Sequence, residues 1–193
     1  MRWFTRNNKG SDASAAIKAP KKGLSVYEIV LFPILGALMF ATKLLMEALP
    51  NIHLLGLFIV AFTLVFRWKA LYPIYIYVFL DGIFQAFSVW WVPYLYIWTL
   101  LWGAVMLLPK NMPKKVQYVV YPAVCGLHGF LFGTLYSPVW GLLNRMSWKA
   151  IGTWIIAGLP YDAIHGVSNI VAGLLIVPLV ALMRKLLANR GRN

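Results

Sequence analysis

Long apolar runs, separated by short polar and basic connections, make up most of this chain. A helix needs roughly 20 residues to cross a bilayer, and the runs approach or exceed that length. The pattern predicts an all-α integral membrane protein, a bundle of six transmembrane helices at Val26–Leu49, Ile52–Phe66, Ala70–Ser88, Pro93–Leu108, Val116–Leu143 and Tyr161–Leu187. The second run would give about 22 Å of helix, which is short for a hydrocarbon core of roughly 30 Å.

The segments outside these runs are polar and basic. Residues 1–25 carry six basic residues and one acid, and we expect them to form a basic cytoplasmic arm close to anionic headgroups. Residues 26–187 form the predicted six-span membrane domain. Residues 188–193 form a basic cytoplasmic tail.

The connection between the last two runs has a pattern of its own. Within residues 145–159, Trp148, Ile151 and Ile155 lie at helical spacing. Such a segment is typical of a helix that lies in the plane of the membrane surface. We predict a short interfacial helix, or a re-entrant cap, before the last span.

The distribution of the basic residues predicts the orientation of the bundle. The chain has 18 Lys and Arg against 5 Asp and Glu, a formal net charge of +13. On a soluble domain this excess would suggest nucleic acid, but fifteen of the 18 lie in the terminal segments and in alternate connections. Basic connections stay on the cytoplasmic side. We therefore expect a multi-pass membrane protein with both termini in the cytoplasm and no nucleic-acid partner.

With this topology, polar and aromatic residues concentrate at the outer face. Ionisable groups within a membrane are costly and usually face a cavity or a partner. Rings could stack on a flat heterocycle while polar groups contact its edges; an interfacial aromatic belt is the alternative for the rings. The predicted substrate-binding residues are Trp91, Tyr94 and Trp98 on the fourth run, Asp162, His165 and Asn169 on one face of the last run, and Asn51 and His53 at the first outer turn.

Other polar and small residues favour structural roles. Lys43 and Glu47 are spaced for a local ion pair, whereas Asp81 could pair with Lys43 or His128, or contact a cationic solute. His128 is expected to be a hydrogen-bonded packing residue. Three glycines in the fifth run allow close approach of another helix, and these are Gly126, Gly129 and Gly133.

Composition and motifs do not favour an enzyme. Because 61% of residues are hydrophobic and 12% charged, a sizeable water-soluble catalytic domain is excluded. The sequence has no GxSxG, HExxH or Walker A motif, each of which carries a known chemistry. Cys125 is the only cysteine, and the three histidines lie in separate segments. We therefore predict no catalytic residue, cofactor or metal, and expect any energy for uphill transport to come from another chain.

The pattern resembles the substrate-binding S component of an energy-coupling factor (ECF) vitamin transporter. The matching features are the basic arm, the Ala37-Leu-Met-Phe-Ala41 stretch, the short second run with the turn before it, and the outer cluster. The resemblance implies six spans in the bacterial plasma membrane and no ATPase of its own. It also implies delivery of a small vitamin-like solute to a transmembrane scaffold subunit and two ATPase subunits. It implies that Ala37 and Ala41 dock against the scaffold, and that Leu49–Leu54 forms a lid over the ligand.

Two other interpretations of the sequence remain open. A small intramembrane enzyme could use Asp81, His128, Asp162 and His165. A membrane assembly subunit without a ligand would instead have its outer cavity filled by side chains, with its polar residues paired internally.

Overall fold

The computed structural model describes residues 23–190, and the regular secondary structure within them is helical. The predicted arm at residues 1–25 lies mostly outside the described residues, as do the last three residues of the predicted tail. Two 3-10 turns lie between helices, at Arg67–Ala70 and Val89–Trp91. The helices are α1 Val26–Leu45, α2 Leu55–Phe66, α3 Leu71–Phe84, α4 Tyr94–Leu107, α5 Lys114–Phe130, α6 Phe132–Leu143, α7 Trp148–Gly173 and α8 Ile176–Arg190.

Several helical stretches have the length and composition of membrane spans. Within the described residues four such stretches occur, and α7 with α8 adds a fifth if that bent pair is one span. The prediction of an all-α membrane protein is confirmed at this level. The four are Val26–Leu45, Leu55–Phe84, Val89–Leu107 and Lys114–Leu143.

The contacts of α3 fix its direction relative to α4. Near the end of α3, the Val78 carbonyl accepts a hydrogen bond from the indole of Trp91, which precedes α4. One turn earlier on α3, the Tyr75 hydroxyl donates to the Leu95 carbonyl and lies 2.9 Å from the Thr99 hydroxyl. The two helices are therefore antiparallel.

The chain reverses between α2 and α3. His53, just before α2, contacts the Trp98 ring in α4, and Arg67, just after α2, donates to the Met106 carbonyl at the end of α4. Helix α2 is therefore parallel to α4 and antiparallel to α3. Arg67 has a φ of 56°, a left-handed conformation in which a helix ends. The stretch Leu55–Phe84 is thus a helical hairpin.

Helix α1 packs parallel to α3 between two ion pairs. Lys69 Nζ lies 2.6 Å from Glu28 Oε1 at one end, and Lys43 Nζ lies 2.8 Å from Asp81 Oδ1 at the other. The predicted local pair of Lys43 with Glu47 is wrong, because Lys43 reaches the fully buried Asp81 carboxylate instead. A buried carboxylate needs a partner more than an exposed one does.

Three glycines of the fifth predicted run hold α5 and α6 against α7, which confirms their predicted packing role. A Cβ atom on Gly126 would meet Ile170, and one on Gly133 would meet the Asp162 carboxylate. A Cβ atom on Gly129 would lie 2.8 Å from the Cα of Gly166. Only glycine permits so close an approach of two helix backbones.

The predicted interfacial helix is not a separate element. Residues 148–159 are the first half of α7, which continues through Pro160. They pack along α6, where the Trp140 and Trp154 ring centroids lie 4.7 Å apart. The prediction is wrong because this contact with α6 keeps the segment in line with the rest of the helix. The break comes after Gly173 instead, where α7 and α8 meet at 46°.

We predict that Gly129→Ala destabilises the protein by about 1–3 kcal/mol, since the added methyl group meets the backbone of α7. Gly103→Ala in α4 is the matched control, because a Cβ atom added there would meet no packed neighbour within 4 Å. It should be neutral, or stabilising by about 0.5–1 kcal/mol. Thermal unfolding of both variants in the same detergent measures the difference. Equal unfolding temperatures would contradict the assigned close contact.

Candidate functional site

A partly enclosed cavity of about 190 Å³ lies at the end of the bundle where α1 ends and α2 begins. Its walls come from the end of α1, the start of α2 and the connection between them, together with α3, α4, α6 and α7. Five of the eight predicted substrate-binding residues line it, namely Asn51, His53, Tyr94, Trp98 and His165. The fold therefore brings together residues that are separated by more than a hundred positions in the sequence.

Aromatic rings form a continuous row along the cavity. The Trp98 centroid lies 5.6 Å from that of Tyr94 and 5.5 Å from that of Phe132. Phe132 in turn lies 4.9 Å from His165, and His165 lies 4.6 Å from His53. Such a row has the geometry to stack against a flat ring.

Four polar atoms around the cavity are buried without a hydrogen-bond partner among the described residues. They are His53 Nδ1, Tyr77 OH, Trp98 Nε1 and His165 Nε2. A buried donor or acceptor left unpaired costs about 1–3 kcal/mol. Four such atoms in residues that line one cavity make it the candidate site among the described residues.

The other buried side-chain atoms without a partner lie next to this group. Asp81 Oδ2 is one helical turn from Tyr77, and Asn169 Oδ1 is one turn from His165. The His128 ring lies 5.7 Å from the Trp98 ring and has Nδ1 unpaired. In the described part of the chain, the buried side-chain N and O atoms without a hydrogen-bond partner are therefore concentrated in one region.

His53 lies in the connection before α2, and its ring is uncharged at neutral pH. Burial lowers the pKa of His53 to about 4. A neutral imidazole has one donor and one acceptor nitrogen. His53 can therefore donate to a ligand or accept from it, according to its tautomer.

An ion pair closes one edge of the cavity. Lys43 lines the cavity, and its ammonium contacts Asp81 Oδ1 at 2.8 Å. The Gln85 amide donates to the same oxygen at 2.7 Å. This arrangement neutralises the buried carboxylate and occupies the lysine.

The segment Leu49–Leu54 covers part of the cavity and is tied to α7. Its residues from Leu49 to His53 line the cavity. Asn51 has a φ of 58°, and its carbonyl lies 3.2 Å from the Ser168 hydroxyl of α7. This connection has the position that a lid would need, with a single side-chain hydrogen bond to α7 near its middle.

Three predicted substrate-binding residues do not line the cavity. The Trp91 indole donates to the Val78 carbonyl at 2.8 Å. Both carboxylate oxygens of Asp162 accept from the backbone N–H of Gly133, one of the free donors in the first turn of α6. Asn169 donates to a carbonyl of α5 at 3.3 Å. These bonds give each residue a structural role, and its contact with a ligand stays a prediction.

The prediction for His128 as a packing residue is confirmed. Its Nε2 lies 3.0 Å from the Ile97 carbonyl, and as the partner is an acceptor, Nε2 must carry the proton. The rival enzyme interpretation needs Asp81, His128, Asp162 and His165 to act together, but only His165 lines the cavity. The described residues contain no group of three or more potential metal ligands.

Sequence reasoning gave no role to four residues of the cavity wall, namely Met46, Leu55, Tyr77 and Phe132, and two of these contact the Trp98 ring. Tyr77 is fully buried with its hydroxyl facing no acceptor, and Phe132 contacts both Trp98 and His165. Tyr77 lies four residues before Asp81, on the same helix face, which was an available signal. The sequence held no such signal for Phe132, because a phenylalanine in an apolar run has no distinguishing feature.

Comparison with family models, curated proteins and solved structures gives no match for this chain. The cavity and its unpaired polar atoms are therefore the observations on which a functional proposal has to stand.

We predict that replacing either of two tyrosines of α3 by phenylalanine has a different effect on the free energy of unfolding. Tyr77→Phe removes an unpaired hydroxyl and should leave the free energy of unfolding unchanged or slightly raised. Tyr75→Phe removes a hydroxyl that donates to Leu95 and contacts Thr99, and should cost about 1 kcal/mol. Thermal unfolding of ligand-free protein in detergent measures both. A loss for Tyr77→Phe equal to that of Tyr75→Phe would mean that its hydroxyl has a partner in the protein.

Proposed function

We propose that this chain is the substrate-capture S component of an ECF-type importer. It binds a small vitamin-like solute at the outer face, with a flat aromatic heterocycle favoured, and delivers it through a scaffold subunit and two ATPase subunits. The supporting observation is the cavity at the α1–α2 end, whose lining residues include a row of rings and four buried polar atoms without a hydrogen-bond partner, beside a connecting segment. An assembly subunit without a ligand would have no use for that set of buried polar atoms.

The proposal includes six crossings of the membrane with both termini in the cytoplasm. The reversal at Arg67 supports two short crossing helices within Leu55–Phe84. The stretches Lys114–Leu143 and α7–α8 each account for one further crossing. The basic residues Arg67, Lys69 and Lys110 then lie on the cytoplasmic side, as the positive-inside rule requires, and the cavity opens outward.

Release of the solute requires the scaffold to bind one state of this chain better than another. Ala37 and Ala41 are exposed on α1, on the side opposite the buried Gly36 and Met39. A scaffold helix seated there would lie on the helix that carries Lys43 and leads into the Leu49–Leu54 lid. Docking can thereby disturb the lid and lower the affinity for the solute.

The orientation predicts which connections can be labelled from outside. Asn144→Cys, in the connection between α6 and α7, should react with a membrane-impermeant maleimide on intact cells. Lys110→Cys, between α4 and α5, should react only after the membrane is opened. The native Cys125 is fully buried, so it adds no background. Labelling of Asn144→Cys only in opened cells would place the cavity on the cytoplasmic side and exclude import.

The docking assignment predicts a loss of uptake without a loss of binding. Ala37→Trp or Ala41→Trp should lower uptake at least tenfold in the source cells, because the bulky ring blocks approach of the scaffold. The solute is first identified by mass spectrometry of the purified chain, and each variant should still retain it in detergent. Val119→Trp, at an α5 position that is 68% exposed, is the matched control and should transport normally. Unchanged uptake with both Ala→Trp variants would overturn the assignment of this face.

A further inference from the structure

The size of the cavity limits the ligand to a small molecule. The cavity measures about 190 Å³, below the roughly 300–1,000 Å³ of pockets that hold drug-sized ligands. This volume suits one ring with small substituents and is too small for a fused system of three rings or for a nucleotide. The size limit rests on the proposed function, because it assumes that the cavity takes a ligand.

The polar atoms of the wall define what that ring must carry. The indole nitrogen of Trp98 can only donate a hydrogen bond, and it is buried without a partner. A ligand that satisfies it must present an acceptor, such as a ring nitrogen or a carbonyl oxygen. The Tyr77 hydroxyl and the His53 and His165 ring nitrogens can each donate or accept, so they tolerate either kind of group at the other edges.

The charges around the cavity do not suit an anion. Lys43 is the cationic residue among the described residues that line it, and its ammonium is held by Asp81 at 2.8 Å. Glu47, which also lines the cavity, is exposed and adds a carboxylate at the rim. An anion buried without a cationic partner is strongly disfavoured. If Lys43 became that partner, the buried Asp81 carboxylate would lose its only cationic contact among the described residues and keep only the Gln85 amide.

We propose that the cavity selects a single-ring heteroaromatic solute that carries a hydrogen-bond acceptor and no ionised carboxylate or phosphate. The ring packs among Tyr94, Trp98 and Phe132. Its acceptor faces Trp98 Nε1, and its opposite edge contacts His53 and His165. The same ring bearing an anionic group is rejected, because the described residues that line the cavity offer no unpaired cation to receive it.

Matched pairs of compounds test this selection. The full chain, stripped of bound solute in detergent, is incubated with equimolar nicotinamide and nicotinate, pyridoxine and pyridoxine 5′-phosphate, and uracil and orotate, and retained compounds are identified by native mass spectrometry. Each pair shares a ring and differs in an anionic group. We expect at least one ring to be retained, with at least a tenfold preference for the member without the anionic group. Equal or better retention of an anionic member, or retention of no compound, overturns the proposal.

Two tryptophans of α4 provide a matched test of the acceptor contact. Trp98→Phe should lower retention of the preferred compound at least tenfold. Trp102→Phe, one turn further along α4, removes an indole that donates to the Arg67 carbonyl outside the cavity, and it should bind normally. Tyr77→Phe is a milder second variant that should weaken binding while keeping the fold. Normal binding by both Trp98→Phe and Tyr77→Phe would overturn the proposed contacts.

The rim charge gives an independent check on the charge selection. Glu47→Gln removes an exposed carboxylate and should improve binding of the anionic member of the retained pair by about two- to fivefold, as expected for one partly screened charge. Unchanged binding of the anionic compound by Glu47→Gln would contradict a role for the rim charge.

If the chain retains an anionic compound and its uptake still depends on Ala37, the proposed ligand chemistry is overturned and the transport assignment stands. Retention of the non-anionic compound with uptake independent of Ala37 and Ala41 would instead overturn only the transport assignment.

Discussion

Pairing of buried polar groups is the constraint on which this structure depends. In a bundle with little water, an unpaired donor or acceptor is expensive. Away from the cavity the aromatic polar groups meet that requirement with backbone carbonyls: Tyr75 reaches Leu95, Trp91 reaches Val78 and Trp102 reaches Arg67. The unpaired side-chain atoms of the described residues gather around one cavity instead. This contrast between paired groups elsewhere and unpaired groups at one place is the basis of the functional proposal.

The helix contacts that surround the cavity explain how its wall is held. Gly129 lets α5 approach the backbone of α7 at Gly166, and the neighbouring His165 lies close to the Phe132 ring of α6. The break between α5 and α6 frees the N–H of Gly133, and Asp162 binds that N–H with both carboxylate oxygens. Phe132, the first residue of α6, is thereby fixed between Trp98 and His165. Close packing and helix capping thus serve the site indirectly, through residues that do not face it.

The coarse features of the fold could be predicted from the sequence because they depend on local pattern. Apolar runs of helical length predict membrane helices, and glycine spacing in α5 predicted a packed face that the structure contains. The interfacial helix was wrong because the pattern of Trp148, Ile151 and Ile155 is the same whether the apolar face meets lipid or meets α6. The local pair of Lys43 with Glu47 was wrong, and the alternative pair of Lys43 with Asp81 is the one that the structure contains. The sequence could not decide between them because it shows the spacing of Glu47 but not the burial of Asp81.

The limits of sequence reasoning at the site are clearest along α4. Trp98 and Trp102 are one turn apart, on one face, in the same kind of apolar surroundings. The difference between them arises just after the end of α2, where the Arg67 carbonyl accepts a hydrogen bond from the Trp102 indole. The Trp98 ring lies against His53 and Tyr77 instead, and its indole nitrogen has no acceptor. Whether an indole packs or binds depends on which backbone group lies opposite, and that is set by how α2 is placed against α4. Residue type and spacing can therefore name candidates for a membrane binding site, but only the arrangement of the other helices separates those that are already paired from those that remain free to bind.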